Sequence, residues 1–406
     1  MPKNKRPAPR KTAAPVLDDT ERLAQTLADL ALDLAEQAAD DEQSGRPVDT
    51  DALNLKENAF NKLVRNALRK KNDELLYLAL EQARDADLAA HQLLRERIGE
   101  ASATVLLHRE GSPSMEINAF AVPVFVHSSG GLRQEQCFND PEAYDRLVAS
   151  FVQEGLESPH ARVVLTAHAY DLGEFERLTY SSVNEMVREA GASMTEKKLL
   201  PAPALERSMA GWRPTTFAPG EHAVELRFLM GFALKAADDP FYRIPEDEAA
   251  ADAYFEARMA RYRAWTGKAA PWVARCLSAD PAGVTLHFLY QDLPFGARDQ
   301  GVAELGMLHL ISSVNAALGA GGCAPGDARV VAGPADVEHE MVLRVQVYGP
   351  DGGLLGTADK PLDPAADLID EVGEVADALA SAGIGALDVA RRFGADGAPV
   401  DAAPYP

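Results

Sequence analysis

The sequence predicts an α/β (or α+β) protein, an α-helical N-terminal region followed by a mixed-sheet α/β body that divides into two related halves. Three observations carry this expectation. Up to about residue 100, apolar residues recur three and four apart, the period of one helix face. Beyond that point short apolar runs alternate with helical patterns, as they do when strands and helices pack in layers. Late in the chain, YGPDGGLLG (348–356) sets Pro350, Asp351, Gly352 and Gly353 between two apolar runs, which is a hairpin signal.

The elements follow in order. Residues 1–16 form a basic tail rich in Pro and Ala, with Lys3, Lys5, Arg6, Arg10 and Lys11 and no acid. Such a composition has no core to fold around, so the tail is expected to be disordered. Residues 17–100 form the helical region. Leu23, Leu27, Leu30 and Leu34 mark a first helix, and Gly45 and Pro47 break it. A second helix at about 51–71 has Phe60, Leu63, Ala67 and Leu68 on one face and Lys62, Arg65 and Arg69 on the other. A third and a fourth helix follow between 73 and 98. In the body, strands are expected near 117–127, 161–169, 223–235, 283–290, 328–332, 340–348 and 353–358. Helices are expected near 141–155, 175–191, 249–278, 299–319 and 364–381.

The halves are drawn at 101–200 and 220–392. RVVLTAHAYDLGEF (162–175) and GVTLHFLYQDLPFG (283–296) both read as a strand entering a Tyr-Asp turn and then a helix. Chance likeness between two strand-turn-helix pieces gives the same pattern. The stretch LLPAPALERSMAGWRPTTFAPGEH links the halves, and 393–406 reads as a loose tail.

Composition bounds the function. The 406 residues suffice for a large core, and 47 % hydrophobic with 25 % charged is a globular balance. No apolar run reaches the roughly 18–20 residues of a membrane helix, so no membrane partner is expected. Cys137, Cys276 and Cys323 are far apart and form no C-x-x-C pair. This reads as a reduced, cytoplasmic protein. The net charge of −22 repels nucleic acid in general.

AFAVPVFVHSSGG, VVLTAHAYDLGEFERLTYSSVNEMV, ELRFLMGFALKAADDPFYR and DGGLLGTADKPL together resemble a proteobacterial family of uncharacterised proteins, a domain of unknown function, over residues 17–362. In that family aromatic and Arg residues precede the Ser-Gly turn, where this chain has Val126 and His127. The resemblance implies a bacterial cytosolic protein and assigns no functional residue.

Several constellations carry chemistry. At the end of the 117–127 strand, Ser128 and Ser129 stand before Gly130 and Gly131. Serines and backbone N–H groups so placed suit a ligand-contacting turn, but adjacent His127 and Ser128 point to opposite faces of a strand, a poor arrangement for an activated nucleophile. His168, Tyr170 and Asp171 end one strand; Tyr290 and Asp292, with Arg298 just beyond, end its counterpart. Ligands sit beyond strand ends in open α/β sheets, so these residues form a candidate cleft. Helix capping by the aspartates explains the same residues. VEHE (337–340) does not set its His and carboxylates on one strand face, and GAGGCAPG (319–326) lacks a P-loop ending and reads as a helix cap. No metal and no cofactor is expected.

RMARYRAWTGKAAPWVARCLSA (258–279) has five cations and no acid in a strongly acidic chain. Arg258, Arg261, Arg263 and Trp265 are candidates for polyanion contact, because Arg beside aromatics suits phosphates and bases. An amphipathic helix packed on its own core gives the same pattern. The first expectation is a non-enzymatic binding or regulatory protein. A hydrolase or transferase with a strand-end cleft is the second. The third is an RNA- or ribosome-associated protein, with RNA or a protein partner held through the basic tail.

Overall fold

A computed structural model describes residues 18–44, 50–108, 111, 113–128, 140–195, 223–337, 340–362 and 366–405. The basic tail, Ser129, the segment linking the halves, Glu338, His339 and Cys137 lie outside the described residues. The chain has the helical N-terminal region and α/β body expected, in two compact units that divide at Ile98 and Gly99.

The first unit holds α1 (Asp19–Ser44), α2 (Thr50–Arg69), α3 (Asp73–Ala86) and most of α4 (Leu88–Ala103). The buried stripe of α1 is Ala24, Leu27, Ala28 and Ala31, while Leu23 is 40 % exposed. The leucine stripe expected at 23, 27, 30 and 34 is therefore rotated. Alanines carry the contact, and Ala79 and Ala83 on α3 are buried as well, so small residues let helices approach closely. On α2, Phe60, Val64, Ala67 and Leu68 are buried, with Lys62, Arg65 and Arg69 outward. Asn72 caps α3, its Oδ1 accepting from the Leu75 N–H at 3.2 Å.

In the second unit, β2 (Met115–Ser128) pairs along its whole length with β4 (Ala223–Ala236), Met115 opposite Ala236 and Ser128 opposite Ala223. The other edge of β2 takes β1 (Thr104–Leu107) at one end and β5 (Val284–Phe288) at the other. β3 (Arg162–Asp171) lies on the far side of β4. All these pairings are antiparallel. α5 (Pro141–Gln153) joins β2 to β3, and α8 (Glu248–Leu277) joins β4 to β5. The order β5-β2-β4-β3 is that of the ferredoxin-like split β-α-β double unit. The two strand-helix-strand units thus share a topology but interleave in one sheet, so the halves drawn at 101–200 and 220–392 do not separate. Asp171 lies opposite Arg227 of β4, and Asp292 bridges Ala121 of β2.

One sheet face packs Phe120, Val122, Val124, Val126, Leu229 and Ala233 against Leu147 and Phe151 of α5 and Trp265, Val273 and Leu277 of α8. The other packs on α6 (Leu172–Phe175), α7 (Tyr180–Thr195) and the start of α9 (Pro294–Gly321). There Phe175 stacks on Phe228 at 4.2 Å, and Gly301 lets Leu226 and Phe228 approach α9. Between Phe120 and Leu165 there is room for glycine alone: a Cβ on Gly231 would lie 2.4 Å from Phe120 Cζ and 2.7 Å from Leu165 Cδ2. Gly231→Ala should therefore cost about 1–3 kcal/mol through overpacking. A urea melt with an unchanged midpoint would contradict this packing.

α9 continues onto a second sheet, its 28 residues spanning about 42 Å. This sheet is a meander of β6 (Arg329–Val337), β7 (Glu340–Tyr348) and β8 (Leu354–Pro361), with β9 (Leu387–Val389) parallel to β6 and β12 (Ala403–Pro404) outside it. The predicted hairpin joins β7 to β8, with Gly352 at φ 80° and the Asp351 carboxylate accepting from the Gly353 N–H. Leu310, Val314 and Leu318 of α9 and Val372, Val375 and Leu379 of α10 (Leu368–Ser381) cover one face. The C-terminal stretch is not a loose tail. β10 (Arg392–Phe393) and β11 (Pro399–Val400) form a small hairpin whose Phe393 packs on Val331 and Val342. Its Pro- and Gly-rich composition marks turns here. By length and composition alone α9 would suffice to cross a bilayer, and here it packs on both sheets. Gly322 closes α9 in the left-handed region at φ 61°, the cap read from GAGGCAPG.

Candidate binding cleft

The end of the first sheet does not bring the strand-end candidates together. Ser128 is buried at the end of β2. On the same sheet face, Val126 lies opposite Glu225, and Val124, Arg227 and Asp171 lie in one row. Ser128 and Asp171 are four residues and two strands apart, about 16 Å by strand geometry. Asp171 and Asp292, which bridges Ala121, lie three strand spacings and three residues apart, about 17 Å by strand geometry. A β-bulge between Leu165 and Ala169 breaks the alternation that put His168 and Tyr170 on one face. His168 is half-buried, its carbonyl accepting from Thr166 Oγ1, whereas Tyr170 is wholly buried and edge-on to Phe175.

Both aspartates have local work. Asp171 caps α6, accepting from the Glu174 N–H at 2.9 Å. Its other oxygen lies 3.7 Å from Arg227 Nη1. Arg227 is 0 % exposed and also donates to Glu225. Burial pulls the Arg227 pKa down and pushes the Glu225 carboxyl up, with their mutual attraction opposing both shifts. Sequence reasoning missed Arg227, one cation inside an otherwise apolar strand. Asp292 is exposed near the start of α9, where Gly296 leaves room for its carboxylate: a Cβ there would lie 2.1 Å from Oδ2. Arg298 pairs with Asp299 at 2.9 Å and lies over the Phe295 ring.

A second polar cluster joins three segments far apart in sequence, and only the fold shows it. The buried Glu157 carboxylate accepts from the Tyr242 hydroxyl at 2.7 Å and from Gln291 Nε2 at 3.0 Å. Burial and the neighbouring Glu157 charge push the Tyr242 hydroxyl up, so it stays a donor. The Ser158 hydroxyl donates to Asp239 at 2.6 Å.

The basic stretch is α8. Trp265 is 0 % exposed, so its role is core packing and not surface stacking. Arg258 Nε donates to the Tyr290 hydroxyl at 2.6 Å, and Arg261 is half-buried. Lys268 pairs with Glu154, and Arg275 with Asp140. Arg263 is exposed, and among the described residues no carboxylate pairs with it. Pro271 has no N–H for the Gly267 carbonyl, so one rung of the helix is missing one turn beyond Arg263.

Arg263 opens on a cleft of about 400 Å³ between α8 and β5. Met259, Tyr262, Arg263, Thr266, Gly267 and Ala270 line it from the helix, a set spaced by three, four and seven that forms one face. Leu286, His287, Phe288 and Tyr290 line it from the strand. Gly267 has open space where a Cβ would stand, which widens the cleft. Its floor is rigid. Tyr262 packs on Trp265 and Tyr290 at 5.4 and 4.9 Å, and its hydroxyl donates to the Leu289 carbonyl. That carbonyl faces Pro123, which has no N–H to offer, so the tyrosine replaces the missing ladder bond. Among the described residues no group of His, Cys, Asp and Glu is arranged to hold a metal. No family model, curated protein or solved structure matches this chain.

Proposed function

We propose that this is a binding protein, not an enzyme, and that its site is the cleft between α8 and β5, which takes a ligand with a negative charge beside an apolar part. The observation that carries the reading is Arg263, an exposed cation with no carboxylate partner among the described residues, at a cleft walled by Tyr262, Phe288 and Tyr290. A few convergent polar groups in an apolar wall are the usual make-up of a ligand site, and the volume lies in the usual range. The separation of Ser128, Asp171 and Asp292 supports binding over hydrolysis. The bacterial cytosolic setting follows from the family resemblance. An RNA reading finds no support in Trp265, whose ring belongs to the core.

The test uses 8-anilinonaphthalene-1-sulfonate, an anion on an aromatic frame. Its fluorescence should rise on the native protein with one site per chain. Gly267→Trp should abolish that rise by filling the cleft. The variant should fold at least as well as the parent, since glycine inside a helix costs about 0.5–1 kcal/mol relative to alanine. Arg263→Glu should weaken binding at least tenfold. No binding to the native protein, or equal binding to both variants, would remove the proposal.

A further inference from the structure

The edge of β5 that faces the cleft is unpaired. β5 pairs with β2 on one side, and among the described residues no strand pairs with the other. The register shows which backbone groups are left. Leu289 N–H donates to the Pro123 carbonyl, and Asp292 exchanges two bonds with Ala121. In an antiparallel ladder the groups alternate, so residues 287 and 285 turn toward β2 and Leu286 and Phe288 turn outward. Leu286 and Phe288 both line the cleft. Natural sheet edges are blunted by Lys, Pro or bulges, and VTLHF (284–288) has none of these.

We infer that the cleft is a docking site for an extended acidic segment of another protein, which adds to β5 as a further strand. The inference rests on the cleft being a binding site and names its partner. Charge decides the sign. Lys268 and Arg275 are paired with Glu154 and Asp140, and Arg258 with the Tyr290 hydroxyl, whereas Arg263 stands exposed midway along the helical wall with no carboxylate partner among the described residues. A second copy docked by the same face would bring a like-charged helix to that wall. Spacing decides the pattern. The helical wall runs from Met259 to Ala270, about 16 Å at 1.5 Å per residue. Three alternate residues of a strand cover about 13 Å. The middle one meets Arg263. The outer two meet Met259 and Tyr262 on one side and Gly267 and Ala270 on the other. The matching face is apolar, acidic, apolar. Main-chain bonds to Leu286 and Phe288 supply affinity, and this face supplies specificity, as in other cases of strand addition.

The probe is the labelled peptide Thr-Val-Thr-Glu-Thr-Val-Thr, with blocked ends, followed by fluorescence anisotropy on the full chain. It should bind the native protein, and Gly267→Trp should abolish binding. Changing its Glu to Lys should weaken binding at least tenfold. Two further peptides have N-methyl groups on alternate amides, one for each edge of the added strand. One should lose at least tenfold and the other should bind as the parent does, because only one edge pairs with β5. Equal behaviour of the two methylated peptides would overturn strand addition. If the sulfonate dye binds and the peptide does not, strand addition falls while the cleft reading stands. If neither binds, both fall. Competition by an oligouridylate would transfer the site to nucleic acid. A dimer in sedimentation that Gly267→Trp dissociates would transfer it to a second copy, and either result overturns the inference.

Discussion

Arg227→Met should lower the stability of the folded chain by about 3–5 kcal/mol at pH 7, the usual cost of removing one partner from a buried ion pair. Arg227 is 0 % exposed, and its guanidinium sits between Glu225 and Asp171, whose side chains are 16 % and 17 % exposed. Methionine fills much of the same space, so the loss comes from charge and not from a cavity. The pH dependence separates the two. Burial already holds the Glu225 carboxyl above its ordinary 4.5, with Arg227 opposing the shift. A carboxyl raised on folding binds its proton more tightly in the folded state. Its contribution is most favourable below about 4.5 and is lost as the pH rises through the folded value. Without the guanidinium that folded value rises further, and the window widens upward. The gap between parent and variant should therefore be largest near neutrality and shrink toward pH 4. Glu225→Gln added to the variant should recover part of the loss at pH 7 and little at pH 4. Urea melts at both pH values measure this. A gap that does not change with pH would show that Arg227 acts by packing alone.

Strand and helix positions were legible because each rests on a period. The run 117–127 became Met115–Ser128, 223–235 became Ala223–Ala236, and 249–278 became Glu248–Leu277. Short elements without a period escaped. β1 and β9 through β12 have four residues or fewer, and pairing, not local pattern, defines them. The interleaving of β2, β3, β4 and β5 was out of reach too, since two βαβ units read alike whether they lie side by side or interlock.

The site was legible only in part. Composition singled out Arg258–Ala279, and the cleft does lie against that helix. Which of its cations face outward depends on partners from elsewhere: Tyr290 for Arg258, Glu154 for Lys268, Asp140 for Arg275. Of the strand-end candidates Tyr290 lines the cleft, but the two aspartates do not converge, for a related reason. Asp171 and Asp292 occupy equivalent places in two similar units, and equivalence in sequence is not proximity in space. Strand exchange sets them about 17 Å apart, three strand spacings across the sheet and three residues along it.

Trp265→Ala should be as destabilising as the Arg227 variant, by about 3–5 kcal/mol, the range for deleting a large buried aromatic. The indole is 0 % exposed and touches three rings, Phe151 at 4.9 Å, Tyr262 at 5.4 Å and Phe288 at 5.6 Å. Its Nε1–H donates to the Ser150 hydroxyl at 2.8 Å, which the substitution would leave without that donor in a buried place. Trp265→Phe keeps a ring in the core and should cost less, with about 1 kcal/mol of its loss due to the missing hydrogen bond. Two of the three rings, Tyr262 and Phe288, also wall the cleft. In the alanine variant they lose their support, so dye affinity should fall together with the melting temperature. A tryptophan that stacks on a ligand at the surface behaves in the opposite way: affinity falls and stability does not. Thermal melts and dye titrations on the same two variants distinguish these outcomes. An alanine variant that melts with the parent would show that Trp265 is not part of the core between α5, α8 and the sheet.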